Sequence, residues 1–367
     1  MNDCIVTFKT TADLRLLDVY KADNVYVPKN IPNIVLCRLS NDNAELLKEE
    51  AEVISVEVDE ADNADSFDAS SIQTESYAID LMDVKKFHEQ GIKGEGVKVA
   101  VFDTGVQLHE DLDIKGGINA YDKSKPYDAN ISNRHGTMVA GVLAAKDNEK
   151  GTLGVAPECD LYAVRLDDGS GSSAGARWSE QIIAMDWAID NDIDAINCSF
   201  SGTNDSTARK QAFKKAYDAG IAIFCSANNR QGDYALDVDR MFYPSRYPFV
   251  VTSANINKDK SRYTSSSVGR NMNFSSGGVS IKSTTIDTSK STSDKYATGT
   301  GTSYASPAVA GMYALYKQMY PHESRDKLLQ RMYVNAENIG NIRYFGAGIP
   351  KYPVNNYENI IMNESLE

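Results

Sequence analysis

The sequence contains no long hydrophobic run. No stretch approaches the roughly 20 apolar residues that cross a bilayer, and no basic segment followed by an apolar one comes after Met1. Neither a signal peptide nor a membrane anchor is therefore expected. Histidine is scarce, at four. The five cysteines, Cys4, Cys37, Cys159, Cys198 and Cys225, are odd in number and stand mostly in apolar stretches. That usage argues against a disulfide framework and for reduced, buried thiols. These absences favour a cytoplasmic protein, with a secreted protein whose signal has been removed as the alternative. Positive charge is in deficit: 38 Lys and Arg stand against 51 Asp and Glu, for a net charge of −13. Such a balance favours solubility and argues against nucleic acid as a partner. Internal repeats are absent as well.

What is present is a chain of 367 residues, enough for one large domain and one small one. Apolar runs at 97–102, 161–166, 195–200, 221–227 and 249–254 read as strands buried on both faces. Helical patterns at 179–190 and 207–219 lie between them, and further helices are expected at 303–320 and 324–335. The alternation predicts an α/β fold with a doubly wound, mostly parallel sheet and a site at the carboxyl ends of its strands. The first 60 residues differ. Strands at 4–8, 33–39 and 53–58 with helices at 12–21 and 43–51 predict a small α+β unit of ferredoxin-like, split βαβ style. The acidic stretch 60–68 has no periodicity and reads as a structureless linker.

Three short stretches carry chemistry: Val101-Phe102-Asp103-Thr104-Gly105, Arg134-His135-Gly136-Thr137 and Gly301-Thr302-Ser303-Tyr304-Ala305-Ser306-Pro307. Alone, each has an ordinary reading as a turn after a strand, a loop or a helix cap. A neutral serine hydroxyl is a poor nucleophile, so a serine enzyme needs an imidazole to take its proton and a carboxylate to orient that imidazole. Asp103, His135 and Ser303 can fill those roles. Their order along the chain is that of subtilisin and of neither chymotrypsin nor the α/β-hydrolases. The chain thus resembles the subtilisin-like serine proteases, the subtilases.

The resemblance implies a serine endopeptidase acting on peptides or proteins and made as a self-processing precursor. Its N-terminal unit, 1–60, would be the propeptide, 61–71 a linker with the processing site, and 72–367 the catalytic domain. Counting from Gly220 places Asn229 as the oxyanion amide, with the Ser303 N–H as second donor. Register against the family's mature N-terminus puts the processed bond between Ser71 and Ile72. The same register implies a structural calcium site made of Gln73, Asp111, Asn148 and the carbonyls of Lys146, Lys150 and Thr152, all hard oxygen donors. Substrate would meet an edge containing Asp168 and Gly169, and a pocket formed by Ser199, Phe200, Ser201 and Phe242. Ser201 and Phe242 stand where small glycines are common, which implies preference for a small residue before the cut bond; both also read as plain packing. Tyr304, Met138 and Ala308 depart from the family's usual residues without touching the chemistry. The alternative function is a silent or permanently inhibited protein-binding module that keeps its N-terminal unit.

Overall fold

The computed structural model describes residues 1–64, 76–129, 131–167, 176–229, 239–286 and 295–354, of which 61–64 are described as backbone. In the N-terminal unit, β1 (Asn2–Phe8), α1 (Leu14–Val19), β2 (Asp23–Tyr26), β3 (Ile34–Leu39), α2 (Asn41–Lys48) and β4 (Val53–Val58) form an antiparallel sheet of order β2-β3-β1-β4 with two helices. Strand β2 was not expected from the sequence. Its residues Asp-Asn-Val-Tyr are largely exposed on an edge, so they show no apolar alternation. Both faces of β1 are buried: Cys4, Val6 and Phe8 join the unit's own core, while Ile5, with Ile34 and Leu36, packs into the main domain.

A short strand β5 (Ala61–Ala64) follows. This corrects the expectation of a structureless linker. The strand is held by main-chain pairing on both edges, which needs no apolar pattern in the sequence.

The main domain is built on a seven-stranded sheet. After α3 (Tyr77–Leu81) and α4 (Val84–His88) come β6 (Lys98–Asp103), β7 (Ile114–Asn119), α5 (His135–Ala144), β8 (Asp160–Arg165), β9 (Ala176–Arg177), α6 (Trp178–Asp190), β10 (Ala195–Cys198), β11 (Phe200–Ser201), α7 (Thr207–Asp218), β12 (Ala222–Ser226), β13 (Val251–Ile256) and β14 (Phe274–Gly277). The hairpin β15 (Ile281–Thr284) and β16 (Tyr296–Gly299), then α8 (Thr302–Met319), α9 (Arg325–Val334) and α10 (Ile342–Phe345), complete it. The sheet order is β14-β13-β12-β10-β6-β8-β7, with every neighbouring pair parallel. Period-two alternation sends Val99 and Val101 to the face covered by α5 and α8, and Ala100 and Phe102 to the face covered by α6 and α7. All five cysteines are buried and none forms a disulfide. No helix among the described residues is long and apolar enough to cross a membrane.

Candidate active site

Asp103 ends β6, His135 opens α5 and Ser303 lies in the first turn of α8; all three are buried. His135 Nδ1 is 2.7 Å from Asp103 Oδ1, which also accepts the Thr104 N–H at 2.8 Å. With its Nδ1–H donated to a carboxylate, the ring keeps its lone pair on Nε2. Helix α5 approaches the strand closely because of Gly136. A Cβ there would lie 2.2 Å from the Gly105 carbonyl oxygen and 3.0 Å from the Asp103 Cβ. The Thr104 hydroxyl accepts the Gly136 N–H at 3.1 Å and ties helix to strand end.

Ser303 Oγ makes no hydrogen bond among the described residues. Its backbone is fixed from behind by buried groups. Ser199 Oγ donates to the Ser303 carbonyl at 3.0 Å, Asn197 Nδ2 donates to Ser199 Oγ at 2.9 Å, and Ser306 Oγ donates to Asn197 Oδ1 at 2.7 Å. Asn197 and Ser306 escaped the sequence reading. The available signal was an asparagine inside β10, an otherwise apolar strand with two buried faces, where a polar group needs partners.

Asn229 follows β12. Its Oδ1 accepts both the N–H (2.8 Å) and the hydroxyl (3.1 Å) of Thr302, which fixes the amide so that Nδ2 is buried without an acceptor among the described residues. That nitrogen lies beside the turn leading to Ser303, 3.0 Å from where a Cβ on Gly301 would stand. An orphaned N–H₂ of this kind suits a negative charge developing at the site.

A three-stranded arrangement, β11-β5-β9, lies alongside. Strand β5 runs antiparallel to both neighbours: Asn63 pairs with Ser201 and Ala64 with Phe200, while Ala61 pairs with Arg177 and Asp62 with Ala176. Ser199, Phe200 and Ser201 are therefore together, buried, under a seated peptide strand. Phe242 is half-buried in a loop fastened to them, because Tyr243 and Gly202 exchange main-chain bonds of 2.9 and 3.0 Å. Asp168 and Gly169 lie outside the described residues. The second edge that pairs with β5 is Ala176–Arg177, further along the same connection.

Of the expected metal ligands, Asp111 and Asn148 are adjacent: Asn148 Nδ2 donates to Asp111 Oδ1 at 2.9 Å. The Lys146 N–H bonds the Asp111 carbonyl at 2.9 Å, and the Lys150 N–H bonds Asn148 Oδ1 at 3.1 Å. The Thr152 hydroxyl donates instead to the Lys282 carbonyl, and Lys282 Nζ donates to the Gly151 carbonyl. Burial pushes the Asp111 carboxyl above its ordinary range, with the Asn148 amide acting against that. Gln73, Ser71 and Ile72 lie outside the described residues.

Comparison with known proteins bears on this arrangement. The sequence pattern of the Subtilase family matches residues 94–348. Subtilisin DY of Bacillus licheniformis is 38% identical over 278 residues, covering 76% of this chain and 97% of its own. The thermostable alkaline protease of Halalkalibacterium halodurans is 34% identical over 332 residues, 90% of this chain and 84% of its own. The crystal structure of fervidolysin from Fervidobacterium pennivorans, a keratinolytic enzyme related to subtilisin, superposes with a TM-score of 0.82 at 22% identity, over 95% of this chain and 60% of that one, a likeness of fold.

Proposed function

This chain belongs to the subtilase family and is a serine endopeptidase, and from that premise we propose that Ser303 is its nucleophile, His135 the general base and Asp103 the group that orients it. Ser303 Oγ attacks the peptide carbonyl as its proton passes to His135 Nε2. Asp103, 2.7 Å from Nδ1, stabilises the imidazolium that forms. The oxyanion is received by Asn229 Nδ2 and the Ser303 N–H at the start of α8. His135 then returns the proton to the leaving amine. The observation that carries this reading is the buried His135–Asp103 pair on two elements that end at one point.

Residues 1–60 act as a propeptide. Support comes from β5, which lies between β9 and β11 as a substrate strand would. In the antiparallel register Asn63↔Ser201, Ala64↔Phe200, β5 runs toward Ser199, whose hydroxyl bonds the Ser303 carbonyl. By that register the bond after position 65 reaches the nucleophile first. The register expected from the family's mature N-terminus instead favours Ser71–Ile72, where Ser71 would suit a pocket narrowed by Ser201 and Phe242. An intact-mass measurement on wild type beside Ser303→Ala decides: a fragment starting at position 66 or at Ile72 in wild type alone identifies nucleophile and bond together. Two full-length masses, with no labelling by a fluorophosphonate, would overturn the reading and favour the alternative of a permanently inhibited binding module.

A calcium ion is part of the proposal. The oxygens of Asp111 and Asn148 and the carbonyls of Lys146, Lys150 and Thr152 are a donor set that suits calcium, and the side chains of the first two are already in contact. Bound there, it would brace the loop after α5.

A further inference from the structure

Tyr77 is the first residue of α3, and Ser76 caps that helix by receiving the Ala78 N–H at 3.2 Å. The Tyr77 hydroxyl is used twice. It donates to the carbonyl of Ile256, the last residue of β13, at 2.8 Å, and it accepts the Val279 N–H, in the turn after β14, at 3.1 Å. The ring enters beside Gly277, where a Cβ would lie 2.5 Å from its Cε2, so the end of β14 needs glycine to admit it. Burial pushes the phenol up to about 12, with the Val279 and Gly278 main chain acting against that, so the hydroxyl keeps its proton at neutral pH.

The turn that Tyr77 holds is fastened to the approach to α8. The Gly278 carbonyl accepts the Gly301 N–H at 2.8 Å, and the Thr300 hydroxyl accepts the Ser280 N–H at 2.8 Å. The contact is close: a Cβ on Gly278 would lie 2.6 Å from the Gly301 carbonyl oxygen and 2.5 Å from Asn255 Oδ1. Gly301 leads into Thr302, whose N–H and hydroxyl are held by Asn229. The chain entering Ser303 is therefore fixed by two sets of hydrogen bonds, one from Asn229 and one from the turn at 278–280.

We propose that Tyr77 is a positioning residue for the nucleophile: its hydroxyl locks the turn at Gly278 and Val279 to the end of β13, and that turn holds Gly301, two residues ahead of Ser303. Tyr77 touches neither the triad nor the oxyanion amide. Removing its hydroxyl takes a partner from the Ile256 carbonyl and the Val279 N–H together, and the turn is then free to shift. A nucleophile displaced by about 1 Å can lose on the order of 10² in rate. The loss should fall on kcat, because the strands that pair with a peptide, β9 and β11, are not part of this link. This inference rests on the reading of Ser303 as nucleophile.

The test is steady-state cleavage of a soluble peptide by purified enzyme, well below its melting temperature, beside the rate of fluorophosphonate labelling of Ser303. Tyr77→Phe is expected to lower kcat about tenfold with KM within about twofold, and to slow labelling by the same factor. Tyr316→Phe is the matched comparison. It deletes a hydroxyl that donates to the Lys351 carbonyl at 2.7 Å, near the other end of α8, and should leave kcat within about twofold whatever it does to Tm. Gly278→Ala, which crowds the Gly301 carbonyl, reaches the same link from the turn and should lower kcat as well; it decides alone if Tyr77→Phe does not fold. Wild-type kcat and labelling in a folded Tyr77→Phe, or an equal loss in Tyr316→Phe, overturns the inference. Failure of the wild-type enzyme to cut peptide or to take the label would instead overturn the reading of Ser303 beneath it.

Discussion

Glu57, at the end of the N-terminal sheet, caps a helix of the main domain. Its carboxylate accepts the Thr207 N–H at 2.9 Å and the Ala208 N–H at 3.0 Å, while Ser206 caps the same helix from within by receiving the Arg209 N–H. Asp59 does the same for α6, taking the Ser179 N–H at 2.8 Å and the Ser179 hydroxyl. The two units are thus joined by carboxyl oxygens that accept free N–H groups at the starts of two adjacent helices.

Removing one of these caps should be visible in melting. Glu57→Ala in a Ser303→Ala background, which keeps the chain intact, is expected to cost about 1 kcal/mol and lower Tm by a few degrees, with Glu57→Gln milder. A melting temperature unchanged by Glu57→Ala would mean that the contact holds nothing.

Asn229→Ala should lower kcat by a factor on the order of 10²–10³, the magnitude associated with the corresponding amide in subtilisin itself, with KM little changed. Steady-state kinetics on a soluble peptide checks this. Because Asn229 Oδ1 also fixes Thr302, Asn229→Asp separates the roles: it keeps the acceptor and removes the donor.

Glu180 predicts a pH dependence. Burial raises its carboxyl from 4.5 to about 8, with Asp59 and Asp167 adding repulsion and the Arg177 N–H and charge acting against it. Asp59 is shifted upward too, again chiefly by burial, with Asp3 adding to the shift and Ser179 and Arg177 opposing it. A raised acid binds its proton more tightly in the folded state, so its contribution is complete below about 4.5 and is lost as pH rises toward about 8. Both groups lie where the N-terminal unit meets α6. Stability of the intact chain should fall over that interval, and Glu180→Gln should flatten the fall, giving a higher Tm than wild type at pH 9.

Chelation gives a separate test of the metal proposal. EDTA should lower Tm by several degrees, added calcium should restore it, and Asp111→Asn should abolish the response. Identical melting curves with and without EDTA would remove calcium from the account.

The strands of the large sheet were legible because burial on both faces leaves continuous apolar runs, as in 97–102 and 221–227. The edge strands β7 and β14 lack such runs and were missed; β7 carries two glycines and is mostly half-buried. The meeting of Asp103 with His135 was legible because each motif stands at an element boundary that the sequence also marks. The support behind Ser303 was not. Asn197 and Ser306 act through a contact of 2.7 Å between residues over a hundred positions apart, which no local pattern encodes. Arg209 left a trace in the sequence, a charge in the apolar phase of α7, but its partners, among them Tyr247, lie beyond any local pattern.

Strand β5 also changes how the enzyme responds to dilution. If β5 fills the cleft as proposed, then while it is one chain with the domain its effective concentration is set by the tether and is independent of how much protein is in solution. If the proposed processing cuts the bond after it, occupancy would become an ordinary bimolecular equilibrium. Crowded molecules would then silence one another with released segments, and activity per molecule would rise as they disperse.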